Sequence, residues 1–121
     1  MSLNILLYIG LVVGIAIKFG NLKNIAKLIT SKDAIKMISN DELNIILDVR
    51  TNDEYSNGSY PNAINLSYNQ INEQSILKFD KGKNILVYCR SGRRAKIAAD
   101  KLISLGFKSI YYIKDTYKSI I

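Results

Sequence analysis

The sequence predicts an α/β domain, a parallel sheet flanked by helices, preceded by one apolar N-terminal helix. Three observations carry this. Short apolar, β-branched runs, "NIILDV" (44–49), "NILVYC" (84–89) and "KSIYYI" (108–113), alternate with stretches of helical character. Capping residues mark helix starts between them. Residues 3–20 are apolar on every face, unlike anything downstream.

That first segment, "LNILLYIGLVVGIAIKFG", has Asn4 as its only strongly polar side chain before Lys18. As a helix it spans on the order of 25 Å, the short end of what crosses a bilayer, so local thinning is expected rather than tilt. A cleaved signal peptide would carry positive charge ahead of its apolar run, and here none precedes it. The expectation is therefore a transmembrane anchor over 1–20, a basic and partly helical juxtamembrane linker over 21–30, and a folded domain over 31–121. Lys18, Lys23, Lys27, Lys32 and Lys36 all follow the span. Positive charge close to a membrane-spanning end stays cytoplasmic, which predicts a single-pass protein of the cell membrane with its domain inside the cell. The single cysteine agrees, since a thiol is kept reduced there.

The remaining elements follow in order. Thr30 and Asp33 stand at capping-box spacing ahead of Ala34, Ile35, Met37 and Ile38, giving a short helix. Residues 44–49 read as a central parallel strand. Thr51 and Glu54 repeat the capping spacing, and Asn57-Gly58 ends a helix of one or two turns. Pro61 rules out helix, and "AINL" (63–66) reads as a short strand before a helical stretch over 69–77. After the strand at 84–89 and the loop "RSGRR", Ala95, Ala98, Ala99, Leu102 and Leu105 form one helical face that Gly106 is placed to end. The last strand is 108–113. In such a sheet ligands lie beyond the carboxyl ends of the strands, where Cys89 stands.

Composition narrows the chemistry. With one cysteine and no histidine, the chain has no internal disulfide, no zinc- or copper-type ligand cluster and no Cys/His pair. No metal or cofactor is expected. A nucleophile must then be activated by charge, backbone amides or a helix terminus. The net charge of +7 suits anionic ligands. The basic residues do not form a stripe interleaved with stacking aromatics, so nucleic acid is not an expected partner.

Both requirements meet in "VYCRSGRRAK" (87–96). A free thiol is mostly protonated at neutral pH, and the thiolate is the reactive species. Ser91 and Gly92 permit a tight turn with converging N–H groups, the following helix presents its positive end, and Arg90, Arg93 and Arg94 add charge. All favour an anion on or near the sulfur. The same cradle suits a persulfide or an incoming oxyanion such as a thiosulfonate. Taken alone, Cys89 would read as a core residue closing a strand; at a strand end with this loop it reads as a nucleophile.

Taken together, "ILDVRTNDEY" (46–55), "GSYPNAINL" (58–66) and "NILVYCRSGRRAKIAADKLISLGFKSIYYI" (84–113) resemble a single rhodanese domain in order and spacing, over about three quarters of the chain. The resemblance implies a rhodanese-like parallel sheet and sulfur transfer. Cys89 would attack a sulfane sulfur donor of thiosulfate type, hold the sulfur as a persulfide and pass it to a thiol or protein acceptor. Arg90, Ser91, Gly92, Arg93 and Arg94 would form the anion-binding loop. Arg94 would close a Cys-x4-Arg cradle, with Arg93 and Arg94 facing or supporting the anion. Asp48 and Arg50 match the family's Asp-Val-Arg segment, where an ion pair with Glu54 would brace the site.

A phosphatase on a similar loop would have Cys-x5-Arg, but Ala95 occupies that place. Where the family commonly has Gly-His-Ile-Pro-Gly-Ala, this chain has Gly58-Ser59-Tyr60-Pro61-Asn62-Ala63, and the Ser59 hydroxyl is expected to replace a buried histidine bond. Asp115 and Thr116 stand where a Gly-Gly turn is usual. The alternative to an enzyme is a non-catalytic binding or persulfide-carrier module that recruits a protein at the membrane.

Overall fold

The computed structural model describes residues 24–121. The expected anchor and the first part of the expected linker lie outside the described residues. Among the described residues no helix is long and apolar enough to cross a membrane.

Among the described residues five strands and three α-helices follow in the order β1 (Lys27–Leu28), α1 (Ser31–Ser39), β2 (Ile45–Asp48), α2 (Asn52–Ser56), β3 (Ile64–Asn65), β4 (Asn84–Tyr88), α3 (Arg93–Ser104) and β5 (Ser109–Tyr112), a helix separating each pair of successive strands except β3 and β4. All strand pairs are parallel, in the order β1-β5-β4-β2-β3. The chain leaves β2 toward β3 on one side and β4 toward β5 on the other. Adjacent parallel strands whose connections diverge leave a crevice beyond their carboxyl ends. Asp48 pairs with Tyr88 in the last register of β2 and β4, so Asp48, Arg50 and Cys89 arrive together at that crevice.

Side chains on β4 alternate between the two faces, as the pleat requires. Ile85, Val87 and Cys89 enter the core beneath α3, with Ala95, Ala98, Ala99 and Leu102 of that helix. Leu86 and Tyr88 enter the opposite core with Ala34, Ala63, Ile113 and Ile120. One strand thus sends the thiol to one face and the Tyr88 phenol to the other.

Local signals act where the sequence places them. Thr30 accepts from the Asp33 N–H at 3.0 Å to start α1. Thr51 and Glu54 make a complete capping box at α2. Gly106 (φ 102°) ends α3 with the Phe107 N–H donating to the Leu102 carbonyl and the Gly106 N–H to the Ile103 carbonyl, a Schellman closure.

Two elements differ from expectation. The linker over 21–30 is not helical in its described part: Lys27 and Leu28 pair with Tyr111 and Tyr112 and extend the sheet, so the parallel sheet starts ahead of residue 31. The helix expected over 69–77 is a 3₁₀ turn at Tyr68–Gln70 followed by turns. Asn72 and Ser75 bond each other's backbone N–H groups, at 2.9 Å each way. This reciprocal cap opens a turn, which continues through bonds three residues apart, Leu77 N–H to the Gln74 carbonyl and Phe79 N–H to the Ile76 carbonyl, rather than through a helical ladder. Buried Ile71, Ile76 and Phe79 hold the irregular segment on the core.

Candidate active site

β4 ends one residue before Cys89, and α3 begins at Arg93, so only Arg90, Ser91 and Gly92 lie between thiol and helix. Gly92 takes φ 99°, and a Cβ there would stand 2.9 Å from the Lys114 Cα. Both the left-handed backbone and the close approach require glycine. The turn aims the Gly92 N–H at the Cys89 Sγ (3.1 Å), and the first turn of α3 adds the Ala95 N–H (3.3 Å). The thiol is 1% exposed, so these amides rather than water are its polar neighbours.

The loop arginines separate. Arg94 is bound bidentately by Glu54, Nη1 to Oε1 at 2.7 Å and Nη2 to Oε2 at 3.1 Å, tying the start of α3 to α2. The Arg94 guanidinium holds the Glu54 carboxyl down at about 2, from an ordinary value of 4.5, and Glu54 raises Arg94 in return. Arg94, expected to face or support the anion, has its guanidinium engaged by Glu54 of α2. Arg90 is exposed and lines a cleft of about 350 Å³ with Arg50, Glu54, Tyr117 and Lys118. Ser91 and Arg93 are exposed along a different hollow.

Asp48 and Arg50 form the second layer. Asp48 is fully buried and accepts from the Arg50 N–H (2.9 Å), Nε (3.0 Å) and Nη2 (2.6 Å) and from the Tyr88 hydroxyl (2.6 Å). The partner of Arg50 is therefore Asp48, and Glu54 is taken by Arg94. Arg50 Nη2 also donates to the Gly58 carbonyl at 2.6 Å. The Arg50 guanidinium lies 5.6 Å from the Tyr88 ring centre and 5.1 Å from that of Tyr117, within cation–π range of both. Its hydrogen bonds to Asp48 push the Arg50 pKa further up, and burial, reinforced by Asp48, pushes the Tyr88 phenol up.

Among the described residues the Ser59 hydroxyl makes no hydrogen bond, so the expected replacement is not seen; the next residue's N–H, Tyr60, donates to the Tyr88 hydroxyl at 3.0 Å. Of the two positions where glycines are usual, Asp115 accepts from the Ser31 hydroxyl at 3.0 Å, and just before it Lys114 packs its backbone on Gly92. Thr116 starts a 3₁₀ turn that lays Tyr117 against Gly58 so closely that a Cβ at Gly58 would overlap the Tyr117 hydroxyl. Tyr88 and Tyr117 are not among the site residues expected from the sequence, although strand alternation puts Tyr88, the residue before Cys89, on the face of the Asp48 carboxylate; nothing local to Tyr117 marks it.

The described residues thus form a parallel α/β sheet with a thiol at a strand end, backbone amides converging on its sulfur and an arginine-rich turn into a helix. Residues 30–121 match the Rhodanese-like domain family, and the chain belongs to it. A tRNA uridine(34) hydroxylase from Buchnera aphidicola subsp. Baizongia pistaciae is 32% identical over 103 residues, 81% of this chain and 33% of the relative. The chain thus spans about a third of the length of the curated relatives it matches. Among solved structures, the BH2092 protein from Bacillus halodurans is 29% identical with a TM-score of 0.65, covering 74% of this chain and 67% of that one. The human single-domain sulfurtransferase TSTD1 shares the fold, with a TM-score of 0.64 at 17% identity over 76% of this chain and 92% of its own.

Proposed function

We propose that the domain is a sulfurtransferase in which Cys89 carries sulfane sulfur. The observation that carries this reading is the pair of N–H groups, from Gly92 and Ala95, converging on a single buried sulfur. Fixed donors of this kind stabilise negative charge without reorganising. The Cys89 thiolate attacks the outer sulfur of a thiosulfate-type donor; a new S–S bond forms, the donor's S–S bond breaks, and sulfite leaves with the electron pair. The persulfide keeps its charge within reach of the loop amides. A nucleophilic acceptor then takes the outer sulfur and returns the Cys89 thiolate. Arg90, in the cleft, attracts the donor oxyanion, while Arg94 and Glu54 hold the start of α3 in place.

Incubating the full-length chain with thiosulfate should add the mass of one sulfur atom to Cys89 and, with cyanide, release thiocyanate; Cys89→Ser should abolish both. A mass gain without thiocyanate turnover would favour the persulfide-carrier reading, and no gain at all would sink both. The apolar run over 3–20 and the lysines behind it support a tether at the cell membrane with the domain in the cytoplasm. Recovery of the full-length chain in the soluble fraction after cell lysis would refute the tether.

A further inference from the structure

Beside the cysteine loop, on the side lined by Ser91 to Arg93 rather than Arg90, lies a groove of about 450 Å³ bordered also by Leu28 of β1, Lys96 and Ile97 of α3, Tyr112 of β5 and Lys114. Its floor is apolar: Leu28 is 46% and Ile97 42% exposed, two of the few large apolar side chains left open to water. Its rim is positive. Arg93 and Lys114 make no salt bridge among the described residues, and Lys96 meets only Asp100, one turn along α3, at 2.7 Å. No acidic side chain borders the groove. The wall it shares with the catalytic loop includes Gly92, whose N–H bonds the Cys89 sulfur.

We propose that this groove docks the sulfur acceptor, and that the acceptor is a polypeptide: an acidic segment presenting an apolar side chain to Leu28 and Ile97 and a thiol to the loop. The assignment rests on the sulfur-transfer reading above. Charge complementarity selects an acidic partner, and the apolar floor selects a side chain over a small inorganic anion. Single-stranded nucleic acid fits less well, because it needs exposed aromatic faces for stacking, and the groove's one aromatic, Tyr112, is 8% exposed. Transfer balances without an added redox partner. The acceptor thiolate attacks the outer persulfide sulfur, the Cys89 S–S bond breaks, and the acceptor leaves as a persulfide while Cys89 regains its thiolate.

Binding is measured on the full-length Cys89→Ser chain with the fluorescein-labelled peptide DELCLED, its basic counterpart KKLCLKK and the apolar-stripped DESCSED. DELCLED should bind most tightly, and the double variant Lys96→Gln/Lys114→Gln should weaken it about fivefold, the scale of two rim charges. Equal binding of the three peptides, or no loss in the double variant, overturns the proposal. So does displacement of DELCLED by an oligouridylate at lower concentration than DELCLED itself binds, which would assign the surface to nucleic acid. With intact Cys89 loaded by thiosulfate, the double variant should slow discharge to DELCLED by a similar factor and leave discharge to cyanide within about twofold. If no persulfide forms while Cys89→Ser still binds DELCLED through Lys96 and Lys114, the sulfur-transfer reading fails and the acceptor role fails with it. If the persulfide forms but discharges to DELCLED and KKLCLKK alike, only the docking assignment fails.

Discussion

Gly92→Ala tests the loop most directly, because Gly106→Ala supplies an internal control. Both glycines sit at nearly the same backbone angle, φ 99° and 102°. An L side chain in that region costs about 1–2 kcal/mol, and both variants incur it. They differ in what the new methyl meets. At position 106 it meets the Lys81 side chain at 3.3 Å, a flexible neighbour that can swing away. At position 92 it meets the Lys114 Cα at 2.9 Å, which is backbone behind β5 and cannot. The loop must shift, and the 3.1 Å bond from the Gly92 N–H to Sγ lengthens or breaks, adding about 1 kcal/mol. Gly92→Ala should therefore cost about 2–3 kcal/mol against about 1–2 for Gly106→Ala. At roughly 4–8 °C per kcal/mol for a domain of this size, the extra loss at position 92 is about 4–8 °C in Tm. Chemistry separates the two further: removing one fixed donor from a reacting anion costs about 100-fold in rate. Stopped-flow persulfide formation with thiosulfate and calorimetry on both variants check this. Equal Tm losses, or a persulfide rate in Gly92→Ala within about twofold of Gly106→Ala, would refute the claim that this turn holds the catalytic amide.

The other predictions concern charge. Asp48→Asn leaves the Arg50 guanidinium buried without its anion and should cost about 3–5 kcal/mol in denaturant unfolding; a loss under about 1 kcal/mol would show that Tyr88 and Tyr117 suffice to hold it. Arg90→Ala should raise the donor KM about tenfold with Tm unchanged, whereas Arg94→Ala should lower Tm and the persulfide rate together at nearly constant KM; the reverse pattern would make Arg94 the anion ligand. The Glu54 carboxyl is lowered to about 2 from 4.5, so its pair with Arg94 contributes fully above 4.5 and is lost as pH falls toward 2. With both side chains partly open to solvent, 22% and 30%, that contribution is about 1 kcal/mol. Glu54→Gln should accordingly lower Tm at pH 7 and match the parent near pH 2, and a Tm gap that persists there would exclude this pair as its source.

What the sequence could and could not specify divides along the range of the interactions. Caps and strand ends are local: Thr51 with Glu54, Gly106 after an amphipathic face, and a β-branched run ending in Cys89 each dictate geometry within a few residues. Those readings locate the sheet and the cysteine loop. The spacing of Arg94 from Cys89 was legible for the same reason, but its partner was not. Glu54 lies forty residues away and reaches Arg94 only because β2 and β4 run side by side. A sequence shows three cations beside a thiol and cannot show which one an acid will claim, because that is settled by strand order. The same holds for Arg50, whose nearest acid in sequence, Asp48, binds it, while the aromatic faces beside it come from β4 and from the last turn of the chain. Strand order also undid the linker. The run around Lys27 reads as basic and partly helical until β5 offers it an unpaired edge. Once Leu28 is held there it stands beside Ile97 and Tyr112, which is how a residue remote from the cysteine in sequence comes to border the loop that cradles the sulfur.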